Sequence, residues 1–240
     1  MKIAIFSDIH GNFYALKSII EDINKNNYDE VICLGDCIAI GPRPKECLDL
    51  IIQNNIKMIL GNHELYYLKG TDIEGNMNAG EVKHQKWVKS RLEDTHQKFL
   101  DSCPIFIKRE INNKKYLFSH FLINNINDEY PFEKLSIVKD GSIEDKFKSV
   151  DTDYMFIGHE HKAFKIVSND KELIDVGSSG CTNNNSTRYT VLDISDDGIK
   201  IYTKELEYDR KQFINDLKTI DYPEKEMISK IFFGIDDVEI

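Results

Sequence analysis

The chain reads as an α/β protein built on a parallel sheet. Short apolar runs alternate with amphipathic helical stretches over the first sixty residues, and each run stops abruptly at a polar cluster. Ile3-Ala4-Ile5-Phe6 reads as a buried strand and ends at Ser7-Asp8. Leu16, Ile19, Ile20 and Ile23 then recur at i, i+3, i+4 and i+7, one face of a helix. Val31-Ile32-Cys33-Leu34 is a second strand and stops at Gly35-Asp36. Pro44 occupies a first helical position before Leu48, Ile51 and Ile52. Met58-Ile59-Leu60 is a third strand, broken at Gly61-Asn62. Strand–helix–strand units of this kind cross over right-handed and lay their strands in parallel.

Residues 65–102 interrupt that rhythm. The stretch 70–80 is loop-like, and 82–100 reads as a helix carrying the only tryptophan, Trp87. We expect 65–102 to be a helical cap inserted over one edge of a single domain spanning 1–240. Strands follow at 105–111, 116–119, 154–157, 164–167, 173–176, 189–194 and 199–203. Asn169-Asp170 and Asp197-Gly198 have the composition of hairpin turns. Two helices, near 210–219 and 224–233, close the chain, and there is no internal repeat or low-complexity segment.

Composition narrows the function. Of the 240 residues 41% are hydrophobic and 30% charged, and no apolar run approaches the ~20 residues of a membrane span. The net charge is −10, which argues against a duplex nucleic-acid surface, since such surfaces work by neutralising phosphates. A small anionic substrate fits if positive charge is supplied locally, for instance by metal ions. Residues 205–240 hold ten acidic and five basic residues, read here as a solvated helical face. The lack of an apolar leader before Asp8, and five cysteines without a C-x-x-C pair, lead us to expect a reducing, cytoplasmic setting.

The chemistry gathers at strand ends: Asp8-Ile9-His10-Gly11-Asn12, Gly35-Asp36, Gly61-Asn62-His63-Glu64, Ser119-His120 and Gly158-His159-Glu160-His161. Ligands of open α/β sheets bind just beyond the carboxyl ends of the strands. Five of the seven histidines fall there, leaving His84 and His96 elsewhere. Taken singly, His120 is a packed histidine, Asp36 a turn residue and Asn62 a loop cap. As an ordered set they point to metal. Asp8 and His10 are two apart, as are His159 and His161, which on an extended segment puts each pair on one side. Oxygen and imidazole donors without thiolate favour Mn, Fe, Zn or Ni.

Read together, D-x-H, G-D, G-N-H-[DE], a lone H and G-H-x-H resemble the signature of the calcineurin-like metallophosphoesterases. All five blocks are intact across two-thirds of the chain. The run from Asp8 to Asn12, with Gly35-Asp36 and Gly41-Pro42, is similar to the compact bacterial phosphodiesterase-like branch. The resemblance implies a four-layer α-β-β-α sandwich with two divalent or mixed-valence transition-metal ions at the sheet edge. By position Asp8, His10, Asp36 and His161 would hold the first ion. Asp36 would bridge to a second, completed by Asn62, His120 and His159. His63 would be the catalytic residue that meets the substrate and assists the leaving oxygen. A metal-bridging hydroxide would be the nucleophile. Two divalent ions less two aspartates and that hydroxide leave about +1 facing the phosphate.

The chain departs from one branch of the family. Protein phosphatases carry G-D-x-x-D-R-G, whereas here Gly35-Asp36-Cys37-Ile38-Ala39-Ile40-Gly41 lacks the Asp-Arg that clamps a phosphomonoester. Of five arginines, Arg43 and Arg188 fall in loops that could face the site, and with Asn12 they are the candidate substrate contacts. The resemblance therefore favours a phosphodiesterase on a small phosphate ester. The alternatives are a phosphomonoesterase on a nucleotide or small metabolite, and a non-catalytic binding module. Oligomeric state is not legible.

Overall fold

Two five-stranded sheets, packed face to face, form the core of the computed structural model, which describes residues 1–70, 77–123, 132–133, 150–168 and 170–236. The elements run β1 (Lys2–Phe6), α1 (Phe13–Lys25), β2 (Glu30–Cys33), α2 (Pro44–Gln53), β3 (Lys57–Met58), α3 (Asn62–Lys69), α4 (Ala79–Arg91), α5 (Asp94–Ser102), β4 (Phe106–Ile111) and β5 (Lys114–Ser119). They continue with β6 (Leu122–Ile123), β7 (Phe132–Glu133), β8 (Tyr154–Ile157), β9 (Phe164–Ser168), β10 (Lys171–Asp175), β11 (Ser186–Ser195) and β12 (Gly198–Glu207). Helices α6 (Arg210–Thr219) and α7 (Lys225–Phe233) follow.

The first sheet has the order β12-β11-β1-β2-β3, with β1, β2 and β3 parallel and β11 and β12 antiparallel. The second has the order β4-β5-β8-β10-β9, parallel in its centre and antiparallel at both edges. Strand alternation explains the apolar runs. Ile3 and Ile5 point between the sheets, meeting Tyr116, Phe118, Phe156 and Ile174, while Ala4 and Phe6 point to the helices of the first sheet's outer face. Both faces of β1 are buried, so its sequence is apolar without alternation. The outer face of the second sheet carries a separate cluster, with Leu117, Met155, Ile157 and Leu173 against Leu122, Ile123 and Val150.

The α/β sandwich is as expected, and its details correct the reading at three places. The single helix expected over 82–100 is two. Glu93 donates its N–H to His96 Nδ1 at 3.0 Å, and His96 Nε2 reaches Asp49 Oδ1 at 3.0 Å, pinning the corner onto α2. The second hairpin turns at Asp196-Asp197, because the register pairs Ser195 with Gly198; the glycine takes the positive φ just after the turn. Part of the loop expected at 70–80, and Asn169 of the other turn, lie outside the described residues. The closing segment is not merely a solvated face: Phe213, Leu217, Ile228 and Phe233 pack with Ala15, Ile40 and Tyr208.

β1, β2, β5, β8 and β10 direct their carboxyl ends to one edge, where the loops approach one another closely. Gly35 is one such joint: at φ +103°, a Cβ would lie 2.5 Å from Gly61 N and 2.8 Å from Gly61 Cα. Gly35→Ala combines the left-handed strain with a backbone clash and is expected to cost about 3 kcal/mol. Thermal unfolding of the variant checks this, and a shift within error of the native protein would contradict it.

Candidate metal centre

Five residues that the motifs single out hold left-handed backbone: Asp8 (φ 54°), His10 (47°), Asp36 (51°), His159 (75°) and His161 (59°). For a residue with a Cβ this costs about 1–2 kcal/mol each, so something must hold them there. Backbone bonds between loops do so. Asp8 N–H donates to Gly35 O at 3.0 Å, His10 N–H to Asp36 O at 2.9 Å and Gly11 N–H to Cys37 O at 3.0 Å. Gly180 N–H donates to Asp8 O at 3.0 Å, and Ser178 N–H to His161 O at 3.1 Å.

Glu64 carries the rest. Its fully buried carboxylate accepts from Asp36 N (2.8 Å), Gly61 N (2.8 Å), Cys37 N (2.9 Å) and Ile38 N (3.2 Å). One side chain on α3 thus ties the loop after β2 to the loop after β3. Burial and the neighbouring Asp36 push this carboxyl up to about 7, against the pull of its backbone donors.

The loops bring the predicted donors together in two groups that meet at Asp36. In the first, Asp8 Oδ1 lies 3.6 Å from His10 Nε2 and 3.4 Å from His161 Nε2, and the two imidazole nitrogens are 2.9 Å apart. In the second, Asn62 Oδ1 lies 3.2 Å from His120 Nε2 and 3.1 Å from His159 Nδ1. Asp36 Oδ2 stands between them, 3.7 Å from His10 Nε2 and 3.2 Å from His120 Nε2, while its Oδ1 accepts from His63 N–H at 3.0 Å. His120 Nδ1 donates to Leu34 O at 2.9 Å, which leaves Nε2 as its free donor atom toward Asp36. Asp8 Oδ1, wholly buried, makes no hydrogen bond among the described residues. An unpartnered carboxylate oxygen facing paired imidazole nitrogens fits a cation, and the Asp/His/Asn donor set suits a transition metal.

At this spacing the groups shift one another's protonation. Despite burial, His10 and His161 hold Asp8 well below the usual carboxylate range, and His120 and His63 do the same for Asp36. Against burial, Asp36 pushes His120 up to about 9. Burial and His120 bring His159 down to about 4.

Four other sequence candidates remain, and of these His63 stands at the cluster's edge, one ring nitrogen within 4.8 Å of donor atoms of His10 and Asp36. Its ring edge is toward His10 at 5.2 Å, with Nδ1 2.7 Å from the Gln85 side-chain amide. Burial brings it down to about 3. Arg188 lines a cleft of about 640 Å³ that opens beside His161, and pairs with Glu205 at 3.3 Å. The two remaining candidates are engaged elsewhere. Asn12 is fully buried; its Oδ1 caps α1 at Ala15 N and its amide donates to Gly180 O at 2.8 Å. The Arg43 guanidinium is held bidentately by Asp216 and by Glu46.

Sequence reasoning missed several neighbours. Glu64 stood in the G-N-H-E block with no role, although its place three residues after Gly61 is a capping-box position. Gln85 comes from α4, which is anchored by His84: Ile40 N–H donates to its Nε2 at 2.8 Å, and its Nδ1 donates to Pro223 O at 3.1 Å. Cys181 adds a thiol beside His10 and His161. Phe232 of α7 lies 5.9 Å from the His161 ring and 6.5 Å from that of His10. Nothing local in the sequence marks these last three.

With this geometry in place, comparison with known proteins defines the class. The chain belongs to the calcineurin-like phosphoesterase superfamily, whose domain matches residues 1–197. That family is one of metal-dependent phosphoester hydrolases. An uncharacterized protein of Methanocaldococcus jannaschii is 32% identical over 227 residues, covering 88% of this chain and 89% of that one. The crystal structure of a metallophosphoesterase from Sphaerobacter thermophilus shares the fold, with TM-score 0.72 and 21% identity over 98% of this chain and 99% of that one. A symmetrical bis(5′-nucleosyl)-tetraphosphatase of Haemophilus ducreyi is 42% identical over 67 residues, 27% of this chain and 25% of its own length. Among the described residues no helix is long and apolar enough to cross a membrane.

Replacing the Glu64 carboxylate tests its clamping role. Glu64→Gln turns one acceptor into a donor facing backbone N–H groups and is expected to cost about 3 kcal/mol in urea unfolding. Asp175 offers a second test. Its Oδ1 accepts from Gly177 N–H at 2.8 Å, its Oδ2 is unpartnered, and burial, with Asp8 and Glu160 adding, pushes the carboxyl up to about 8. A raised carboxyl favours the folded state below the unfolded value of about 3.9, and that contribution is lost as pH rises through about 8. Asp175→Asn has no proton to lose, so its stability relative to the native protein should climb between pH 4 and 8. Parallel pH profiles of the two metal-free proteins would contradict this.

Proposed function

We propose that the chain is a phosphodiesterase acting on a small phosphate ester through two transition-metal ions, Mn, Fe, Zn or Ni, divalent or mixed-valence. The observation that carries this is Asp36, whose carboxylate stands between two donor groups, one holding the Asp8 oxygen that makes no hydrogen bond among the described residues. Asp8, His10, Asp36 and His161 are the residues assigned to the first ion, and Asp36, Asn62, His120 and His159 to the second. Ions bound there would polarise the phosphoryl oxygens and supply a water of lowered pKa.

The chain's own residues do the positioning. His63, held through Nδ1 by Gln85, presents its imidazole beside His10 and assists the leaving oxygen. Arg188 faces the cleft beside His161 and is the retained candidate for a substrate contact. Arg43 is committed to Asp216 and Glu46, so it adds no clamp for the second negative charge of a monoester; this favours a diester. Residues 65–102 serve as the cap, since α4 delivers Gln85 to His63. Leu65, Val88 and Leu100 of that segment belong to the main core, so its role is tested by point substitution rather than deletion. Five free thiols fit a reducing, cytoplasmic setting.

A second reading rests on the 67-residue match to tetraphosphatases, which favours a nucleotide-derived phosphate chain as substrate. Side-by-side turnover of a chromogenic diester, the matching monoester and a dinucleoside tetraphosphate separates these readings. Diester turnover should dominate. His63→Ala should lower turnover by about 10²–10⁴ with both metals kept, as removal of a positioned acid or charge-stabilising group does. His120→Ala should lose one metal. Near-normal turnover of His63→Ala with metals intact would overturn the role given to His63.

A further inference from the structure

The sequence shows the metal-binding blocks as oxygen and imidazole donors alone; the fold adds sulfur. Cys181 Sγ and one ring nitrogen each of His10 and His161 all lie within 4.8 Å of one another. Ligands 2.0–2.3 Å from a common ion are separated by at most about 4.5 Å, so these three need only small adjustments to share one. Asp8 Oδ1, fully buried and without a hydrogen-bond partner among the described residues, is aimed into the same space, 3.4 Å from His161 Nε2 and 3.6 Å from His10 Nε2.

The backbone that presents the sulfur is built onto the loop that presents Asp8 and His10. Ser179 N–H donates to Ser7 O at 2.9 Å and Gly180 N–H to Asp8 O at 3.0 Å. Ser178 Oγ donates to Asp8 O and accepts from Cys181 N–H, both at 2.8 Å. A Cβ on Gly180 would lie 1.9 Å from Ile9 O, so the approach is open to glycine alone. Cys181 is the next residue, and its position is therefore set by the same contacts that set Asp8.

We propose that Cys181 is a further ligand of the first metal ion, its thiolate joining Asp8, His10, Asp36 and His161. This rests on the two-metal reading above. On binding, the Sγ–H bond breaks, its proton leaves to solvent and its electron pair forms the sulfur–metal bond. A thiolate is softer than carboxylate or imidazole, so this position prefers zinc or iron to manganese.

Cobalt(II) reports the ligand directly. The full-length native protein loaded with cobalt should show a near-ultraviolet thiolate-to-cobalt charge-transfer band. Cys181→Ser and Cys181→Ala should lose that band while keeping the weaker visible bands of bound cobalt. In competition, either substitution should reduce the preference for zinc over manganese by about tenfold or more. Cobalt bound without the band in the native protein, or a band that survives in both variants, overturns the assignment and leaves the two-metal reading standing. A native protein that takes up no cobalt overturns both.

Discussion

Four backbone N–H groups converge on the buried carboxylate of Glu64, and the site stands on that convergence. Without an acceptor there, the N–H groups of Asp36, Cys37, Ile38 and Gly61 would be buried unpaired, each at a cost of about 1–3 kcal/mol. With it, the loops after β2 and β3 become one unit. The left-handed backbone of Asp36, worth about 1–2 kcal/mol of strain, is then held by a bond of comparable strength. Asp8 and His10 inherit the same support, since their N–H groups donate to the carbonyls of Gly35 and Asp36.

The strain has a chemical use. A strand that ends in ordinary extended backbone points successive side chains to opposite faces. Left-handed residues at 8, 10, 36, 159 and 161 turn the chain so that their side chains reach one small volume. Crowding carboxylates and imidazoles there is costly, and the shifts of Asp8, Asp36, His120 and His159 record how strongly each depends on its neighbours. The centre has room for added positive charge, because Asp8 Oδ1 faces two imidazoles and makes no hydrogen bond among the described residues.

Distant parts of the chain close the surroundings. His84 locks α4 between Ile40 and Pro223, and thereby places Gln85 on His63. α7 sets Phe232 against His10 and His161, so the acidic closing segment contributes an apolar wall to the site. Asp216 on α6 holds the Arg43 guanidinium.

The sequence by itself determined the α/β alternation of its first sixty residues and the polar clusters at the strand ends, while the sandwich and the seven-residue ligand set came through the resemblance those clusters carry. The alternation and the clusters are local in origin: apolar runs report burial on two faces, and polar clusters at strand ends report the edge where parallel strands stop. The helix corner at Glu93 and the turn at Asp196-Asp197 were not legible, because a contact with Asp49 decides the first and strand register the second. The same holds at the site. Tertiary structure alone engaged Asn12 and Arg43 with partners of their own and set Gln85, Cys181 and Phe232 beside the cluster. Each depends on a partner far along the chain, such as Gly180 for Asn12, Asp216 for Arg43 and the Asp8 loop for Cys181. Spacing along a chain encodes which side chains share a face, but which distant face meets them is set only when the sheets and helices pack.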